Sequence, residues 1–158
     1  MTANIGHGRS DSVTRFIAAP ADVIYRAFID PVAWPQWLPP DGMMGEIYEF
    51  DARPGGIYRM ALTHRGDHPN AGKSSIDTDV VEGRFAELLV NERVVQLVTF
   101  QSDDPAFAGE MRMTWSLSRA TGGTDVSIIA ENVPTGNSKA DLDIGMRSTL
   151  DKLARFVE

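Results

Sequence analysis

Histidine is the residue type here with the widest chemical range, and the chain has three: His7, His64 and His68. His64 and His68 stand four apart, a spacing that would place two imidazoles on one helix face and permit metal binding. Gly66 and Pro69 disfavour a helix there, and no carboxylate motif completes a ligand set. We therefore expect no metal site and interpret the histidines as surface loop residues, with the alternative that His64, which follows Tyr58, Met60 and Leu62 in the same alternation, faces the interior and orients a ligand.

Carboxylates supply the other candidates for chemistry. An interior pair would permit acid–base catalysis, and the strand pattern leaves open which way Glu46, Asp51 and Glu87 face. Bulges near the Gly55-Gly56 pair would reverse that facing. The same glycines lack the Lys and the helix start of a phosphate loop. We assign no catalytic residue and expect no cofactor, and an interior acid–base pair stays an alternative.

The elements that would position a site begin with a strand and two short helices. Alternation of polar and β-branched residues predicts a strand over 12–17. The segment 19–22 begins a helix with Pro and Asp in its first turn, and this helix should end before Pro31. Trp34 and Trp37, three apart, indicate a second short helix that either anchors in the core or forms a lid.

A meander of strands follows, and a long helix ends the chain. Short turn-forming connections favour antiparallel pairing, with one longer loop over 65–75. The predicted strands are 46–50, 56–64, 76–88, 93–100, 110–120 and 124–132. The predicted helix spans 139–158, and its apolar stripe comprises Leu142, Met146, Leu150, Leu153 and Val157.

Composition narrows the class of protein. The 158 residues include no cysteine and carry a net charge of −7, which argues against nucleic acid as a partner. No run approaches the ~20 apolar residues of a membrane span, and residues 1–10 lack the pattern of a signal peptide. We expect a cytoplasmic protein with no membrane partner. We expect residues 1–11 to be a flexible tail and residues 12–158 to be a single domain.

Five segments in order resemble a known family. They are FIAAPADVIYRAF (16–28), the Trp-containing second helix, DARPGGIYR (51–59), VEGRFAELLVNERVV (81–95) and GMRSTLDKLARFVE (145–158). Together they resemble the Activator of Hsp90 ATPase homologue 1-like (AHSA1-like) proteins of the SRPBCC, START-like or Bet v 1-like superfamily. One departure is Met146, where that family commonly has Trp after Gly145.

The resemblance implies an α+β helix-grip fold, in which a curved seven-stranded antiparallel sheet surrounds a long C-terminal helix, with two short helices after the first strand. Such folds often leave a cavity between sheet and helix, and flexible methionines suit varied apolar ligands. The alternative is that the same side chains simply fill the core. The residues expected to line the cavity are Trp37, Tyr58, Met60, Leu62, His64, Phe85, Val98, Phe100, Met113, Trp115, Ile128, Met146 and Leu150.

These expectations give a preferred function and two alternatives. The preferred function is non-catalytic binding of a small hydrophobic or amphipathic molecule in that cavity. The resemblance also implies an Hsp90-type co-chaperone or stress-response protein that binds a protein partner, or an enzyme similar to polyketide cyclases of the same fold. Association into a homodimer is left open.

Overall fold

The computed structural model describes residues 9–39, 42–64, 78–100, 104–107, 109–136 and 138–158. Among these residues, no helix has the length and apolar character needed to span a bilayer. The elements within these ranges are β1 (Arg9–Ile17), α1 (Ala21–Phe28), α2 (Trp34–Trp37), β2 (Met43–Phe50), β3 (Ile57–His64), β4 (Thr78–Leu89), β5 (Arg93–Phe100), a 3-10 turn (Pro105–Phe107), β6 (Met111–Ala120), β7 (Gly123–Val133) and α3 (Lys139–Val157).

The seven strands form one antiparallel sheet in the order β1-β7-β6-β5-β4-β3-β2. Strands β2 to β7 form a meander, and β1 pairs with β7, which leaves β1 and β2 at the edges. This confirms the predicted α+β helix-grip class. Strand β1 begins at Arg9 and β2 at Met43, each three residues before its predicted start. The predicted loop over 65–75 lies outside the described residues.

Helix α3 packs its apolar stripe against the inner face of the sheet. Ser138 caps the helix by accepting a hydrogen bond from the Asp141 backbone N–H at 3.1 Å. Toward the C-terminal end, Leu150, Leu153 and Ala154 are fully buried. The N-terminal part is less covered, since Leu142 is only partly buried and Ile144 is 65% exposed. The helix is therefore seated more firmly at its C-terminal half.

The tryptophans of α2 lie in the core. The Trp34 indole N–H donates to the Phe28 carbonyl at 2.8 Å, and that of Trp37 donates to the Ala27 carbonyl at 3.1 Å. Phe28 also packs edge-on against the Trp115 ring, with centroids 5.0 Å apart. These contacts join α1, α2 and the middle of the sheet into one aromatic layer.

The turn between β2 and β3 is held by its own side chains and by β4. Asp51 accepts a hydrogen bond from the Arg53 Nε at 2.7 Å, so Arg53 supports this turn. Gly55 has a φ of +84°, in the region that favours glycine. The backbone N–H of Gly55 donates to the Phe85 carbonyl, and Phe85 donates back to Gly56. A Cβ on Gly56 would overlap the Asp51 carbonyl oxygen.

Replacing Gly56 by Ala tests this packing. We expect Gly56→Ala to lower the free energy of unfolding by about 3 kcal/mol or more, because the backbone must move away from a buried turn. The matched control is Gly122→Ala, at a φ of +81° with no atom within 4 Å of the added Cβ. That control should be destabilised only by backbone strain at the positive φ, by about 1–2 kcal/mol. Equal losses in urea denaturation would contradict the proposed collision.

Candidate ligand-binding site

Strand register arranges the inward-facing residues in rows across the sheet. In one row, Tyr58 lies opposite Gly83, Gly83 opposite Val98, and Val98 opposite Met111. The neighbouring row runs through Phe85, Gln96, Met113, Ala130 and Asp11. The row beyond it contains Val94, Trp115, Ile128 and Val13.

The structure brings most of the sequence-predicted lining residues into one interior cluster. Leu62 and Met113 are partly buried, and the side chains of His64 and Phe100 lie outside the described part of the structure. The fully buried members are Trp37, Tyr58, Met60, Phe85, Val98, Trp115, Ile128, Met146 and Leu150.

The interior has two ends of different character. At the aromatic end, the Trp34 ring packs against Phe50 and Tyr58, with centroids 4.8 and 4.9 Å away. The inner face also carries Met60 and Leu62 on β3 and Met111 and Met113 on β6, which we together call the methionine end. By register, Met111 shares the row of Tyr58 and Met113 shares the row of Phe85, so this part adjoins the aromatic residues. Met113 lies in the third strand from the β1 edge and still remains partly exposed. Neighbouring elements therefore cover Met113 and Leu62 less completely than Met60 and Met111, which are buried.

Gln96 is the polar residue that the sequence analysis missed. It is 3% exposed, and its Oε1 accepts a hydrogen bond from the Trp115 indole N–H at 3.0 Å. An indole N–H can only donate, so this bond fixes the orientation of the amide. The Nε2 group is fully buried and has no hydrogen-bond partner among the described residues. The signal was available as a single glutamine within the inward alternation of Val94, Val98 and Phe100.

Tyr58 supplies a second donor on the same face. Its hydroxyl oxygen lies 2.5 Å from the position that a Cβ on Gly83 would occupy, so the phenol fills the space above that glycine. No hydrogen bond joins this hydroxyl to another described residue. Burial raises the pKa of Tyr58 well above its usual value, so the phenol stays protonated at neutral pH.

The other buried polar side chains have partners. Thr124 and Thr149 donate to the carbonyls of Ala19 and Leu38, at 2.8 and 3.0 Å. Asp11 pairs with Lys139 of α3, with 3.3 Å between Nζ and Oδ1. Among the described residues, no Lys or Arg is buried. The interior therefore offers neutral hydrogen-bond donors and no cation to a bound molecule.

An open groove of about 520 Å³ lies beside the methionine end. Gly45 forms part of its wall, and a Cβ there would lie 2.8 Å from Pro39 Cγ and 3.4 Å from Met60 Sδ. Gly45, which has no side chain, thus lies between the groove and Met60. The groove is lined by Pro35, Gln36, Gly42, Met43, Met44, Gly45 and Lys152.

The three carboxylates of unsettled facing do not meet in the interior. Glu46 is exposed, and Asp51 pairs with Arg53 in the turn. Glu87 follows a bulge in β4 and accepts a hydrogen bond from Arg93 at 2.6 Å, which lowers its pKa. Among the described residues, no cluster of three His, Asp or Glu side chains could hold a metal ion.

A double-mutant cycle tests the amide orientation. Gln96→Met alone leaves the buried Trp115 indole N–H unpaired and should lower the free energy of unfolding by about 1–3 kcal/mol. In a Trp115→Phe background, Gln96→Met should lower the free energy of unfolding by less, because no indole N–H is left without an acceptor. Urea denaturation of the four proteins gives the coupling energy. Additive losses would show that the two side chains do not interact.

Alkaline pH tests the burial of Tyr58. A tyrosine whose folded pKa is raised stabilises the fold fully below its unfolded pKa of about 10, and this stabilisation is lost as pH rises toward the folded value. We expect the free energy of unfolding to fall between pH 9 and 11.5. Tyr58→Phe should remove about 1 kcal/mol of that fall at pH 11. Equal pH slopes for the two proteins would contradict the burial.

Comparison with known proteins places this fold in a family. Residues 18–158 match the family model described as Activator of Hsp90 ATPase homolog 1-like protein. No protein of curated function matches the sequence significantly. A crystal structure of a Chromobacterium violaceum protein is 33% identical with a TM-score of 0.82, over 94% of this chain and 96% of that one.

Two solution structures share the fold at lower identity. An AHSA1-like protein from Aeromonas hydrophila is 16% identical with a TM-score of 0.70, over 94% of this chain and 92% of that one. A Staphylococcus epidermidis protein is 18% identical with a TM-score of 0.72, over 96% and 93%. The family match covers most of the sequence, so the chain belongs to the Activator of Hsp90 ATPase homolog 1-like family.

Proposed function

We propose that this member of the Activator of Hsp90 ATPase homolog 1-like family binds a small hydrophobic or amphipathic molecule between its sheet and α3, at the methionine end. The observation that carries the proposal is the unpartnered Nε2 of buried Gln96 beside the partly exposed Met113. A buried donor without a partner costs about 1–3 kcal/mol, and a ligand oxygen would recover that cost.

The chemistry of the methionine end supports an apolar ligand body. Unbranched thioether side chains change rotamer easily, so they can part for a guest and close again when it leaves. The aromatic end is less adaptable, because indole hydrogen bonds and edge-to-face contacts hold Trp34 and Trp37. We therefore place the ligand beside Met60, Met111 and Met113.

The groove beside Gly45 is the route by which we propose that the ligand enters. Its volume of about 520 Å³ falls within the range of small-molecule sites, and Gly45 is the thinnest part of the wall next to Met60. Movement of the Met43 and Met60 side chains would join the groove to the interior without a change in the backbone.

The two alternative functions have less support. A cyclase-like reaction needs an acid–base pair in the interior, and the buried carboxylate among the described residues is Asp11, paired with Lys139. A co-chaperone would present a basic or apolar docking surface. The outer sheet face instead pairs its cations with carboxylates, as in Arg84 with Glu110. The family description alone therefore carries that alternative.

Binding of N-phenyl-1-naphthylamine, a neutral fluorescent probe without a carbonyl, tests the proposal. We expect micromolar binding to the wild type and at least a tenfold loss in Met113→Trp, which fills the site. Leu62→Trp is the second filling variant, in case the first destabilises the fold. Ile129→Trp on the outer face is the matched control and should bind the probe as tightly as the wild type.

The groove itself is the competing location for the probe. If Met44→Trp abolished binding while both interior variants retained it, the probe would occupy the groove and the proposal would be wrong. Failure of the wild type to bind the probe would also overturn it. Thermal unfolding of each variant confirms that the protein tested is folded.

A further inference from the structure

Two unpartnered donors face the same part of the interior. The Gln96 Nε2 and the Tyr58 hydroxyl both lack a hydrogen-bond partner among the described residues, although both residues are at most 3% exposed. Buried donors in folded proteins almost always have an acceptor. Gln96 Nε2 is fully enclosed and unpaired, and the Tyr58 hydroxyl on the same sheet face has no described partner, so together they indicate an acceptor that the chain does not itself supply.

Register places the two donor-bearing side chains in adjacent rows of the inner face. Tyr58 extends over Gly83, and Gly83 lies opposite Val98, two residues from Gln96 on the same face. Gln96 is the diagonal neighbour of Gly83, and such pairs have Cβ positions about 7 Å apart, a separation that a glutamine side chain can span in part. One oxygen can accept from both groups when the donors lie within about 6 Å of each other.

The absence of charge selects the kind of oxygen. A carboxylate or sulfonate placed there would lose its hydration without gaining a counterion, because the described interior has no buried Lys or Arg. A carbonyl oxygen has two lone pairs and no net charge, so two neutral donors satisfy it fully. Tyr58 stays protonated at neutral pH and keeps its O–H available.

We propose that the ligand is a neutral carbonyl compound, a ketone, ester or amide, whose oxygen accepts hydrogen bonds from Gln96 Nε2 and the Tyr58 hydroxyl while its apolar body lies against Met111 and Met113. This inference rests on the proposed function. It adds the polar recognition element and excludes anionic amphiphiles such as fatty-acid carboxylates from the same position.

Trp115 acts as a positioning residue in this arrangement. Its indole N–H occupies the Gln96 oxygen, so the amide presents a donor and no acceptor to the ligand. Without that bond the amide could rotate and present its oxygen to the carbonyl. The selectivity for an acceptor-bearing ligand thus depends on a residue that need not touch it.

A pair of matched probes tests the inference. One is 6-propionyl-2-(dimethylamino)naphthalene, a neutral ketone, and the other is its 6-propyl analogue, which lacks the oxygen. We expect Tyr58→Phe to weaken the ketone about five- to tenfold relative to the wild type and to leave the analogue unchanged. The double variant Trp115→Phe/Gln96→Met is compared with the single variant Trp115→Phe. The double variant should likewise bind the ketone more weakly and the analogue equally well. That background prevents a freed indole N–H from replacing the lost donor.

The outcomes separate this inference from the proposed function. If both naphthalene probes bind and neither variant changes the preference for the ketone, the carbonyl assignment is wrong while interior binding stands. The anionic probe 1-anilinonaphthalene-8-sulfonate could also bind more tightly than the neutral N-phenyl-1-naphthylamine, with binding lost in Met113→Trp. That result would show that the interior prefers an anionic ligand and would overturn the carbonyl assignment. If none of the neutral probes binds, the proposed function itself fails.

Discussion

The position of α3 above the sheet depends on two indole hydrogen bonds. Trp34 and Trp37 donate to carbonyls at the end of α1, which holds α2 in the core as a layer one ring thick. Helix α3 then rests on the end of α2, where Thr149 donates to Leu38 and Lys152 donates to Pro39. Helix α3 therefore rests on the aromatic layer where it meets α2, and it contacts the sheet directly at β1, where Asp11 pairs with Lys139 and Arg15 with Asp151.

The side chains between α3 and the sheet differ between the aromatic end and the methionine end of the interior. At the aromatic end the rings of Trp34, Phe85 and Trp115 occupy the space, and the packing is that of an ordinary core. At the methionine end, thioethers and Leu62 line the sheet face, and Met113 remains partly exposed. The proposed ligand site thus lies beside the adaptable thioethers and not among the fixed rings.

Much of this arrangement could be predicted from the sequence. Alternation placed Met111, Met113 and Trp115 on the inner face, and all three face the interior cluster. The element order and the antiparallel meander also followed from periodicity and turn residues. These features are local, because a strand with one apolar face must bury that face whatever its neighbours are.

The hydrogen-bonding pattern of the site could not be predicted in the same way. Gln96 resembles any polar interruption of an apolar strand, and its role depends on which residue of β6 lies nearby. The pairing of Gln96 with Met113 places Trp115 two residues along, and only the fold reveals that register. Likewise, the facing of Glu87 depends on a bulge between Phe85 and Glu87 that leaves no local signal.

Gly83 connects these observations. A Cβ at that position would lie 2.5 Å from the Tyr58 hydroxyl oxygen and 2.6 Å from the Leu97 carbonyl oxygen, so any side chain would displace the phenol. Glycine inside a strand weakens it, and such a position usually marks a close approach by another group. Here that group is a phenol carried past β4 toward the row of Gln96. In the proposed site, the absence of a side chain at Gly83 is what leaves room for the phenol of β3 beside the row of Gln96 on β5.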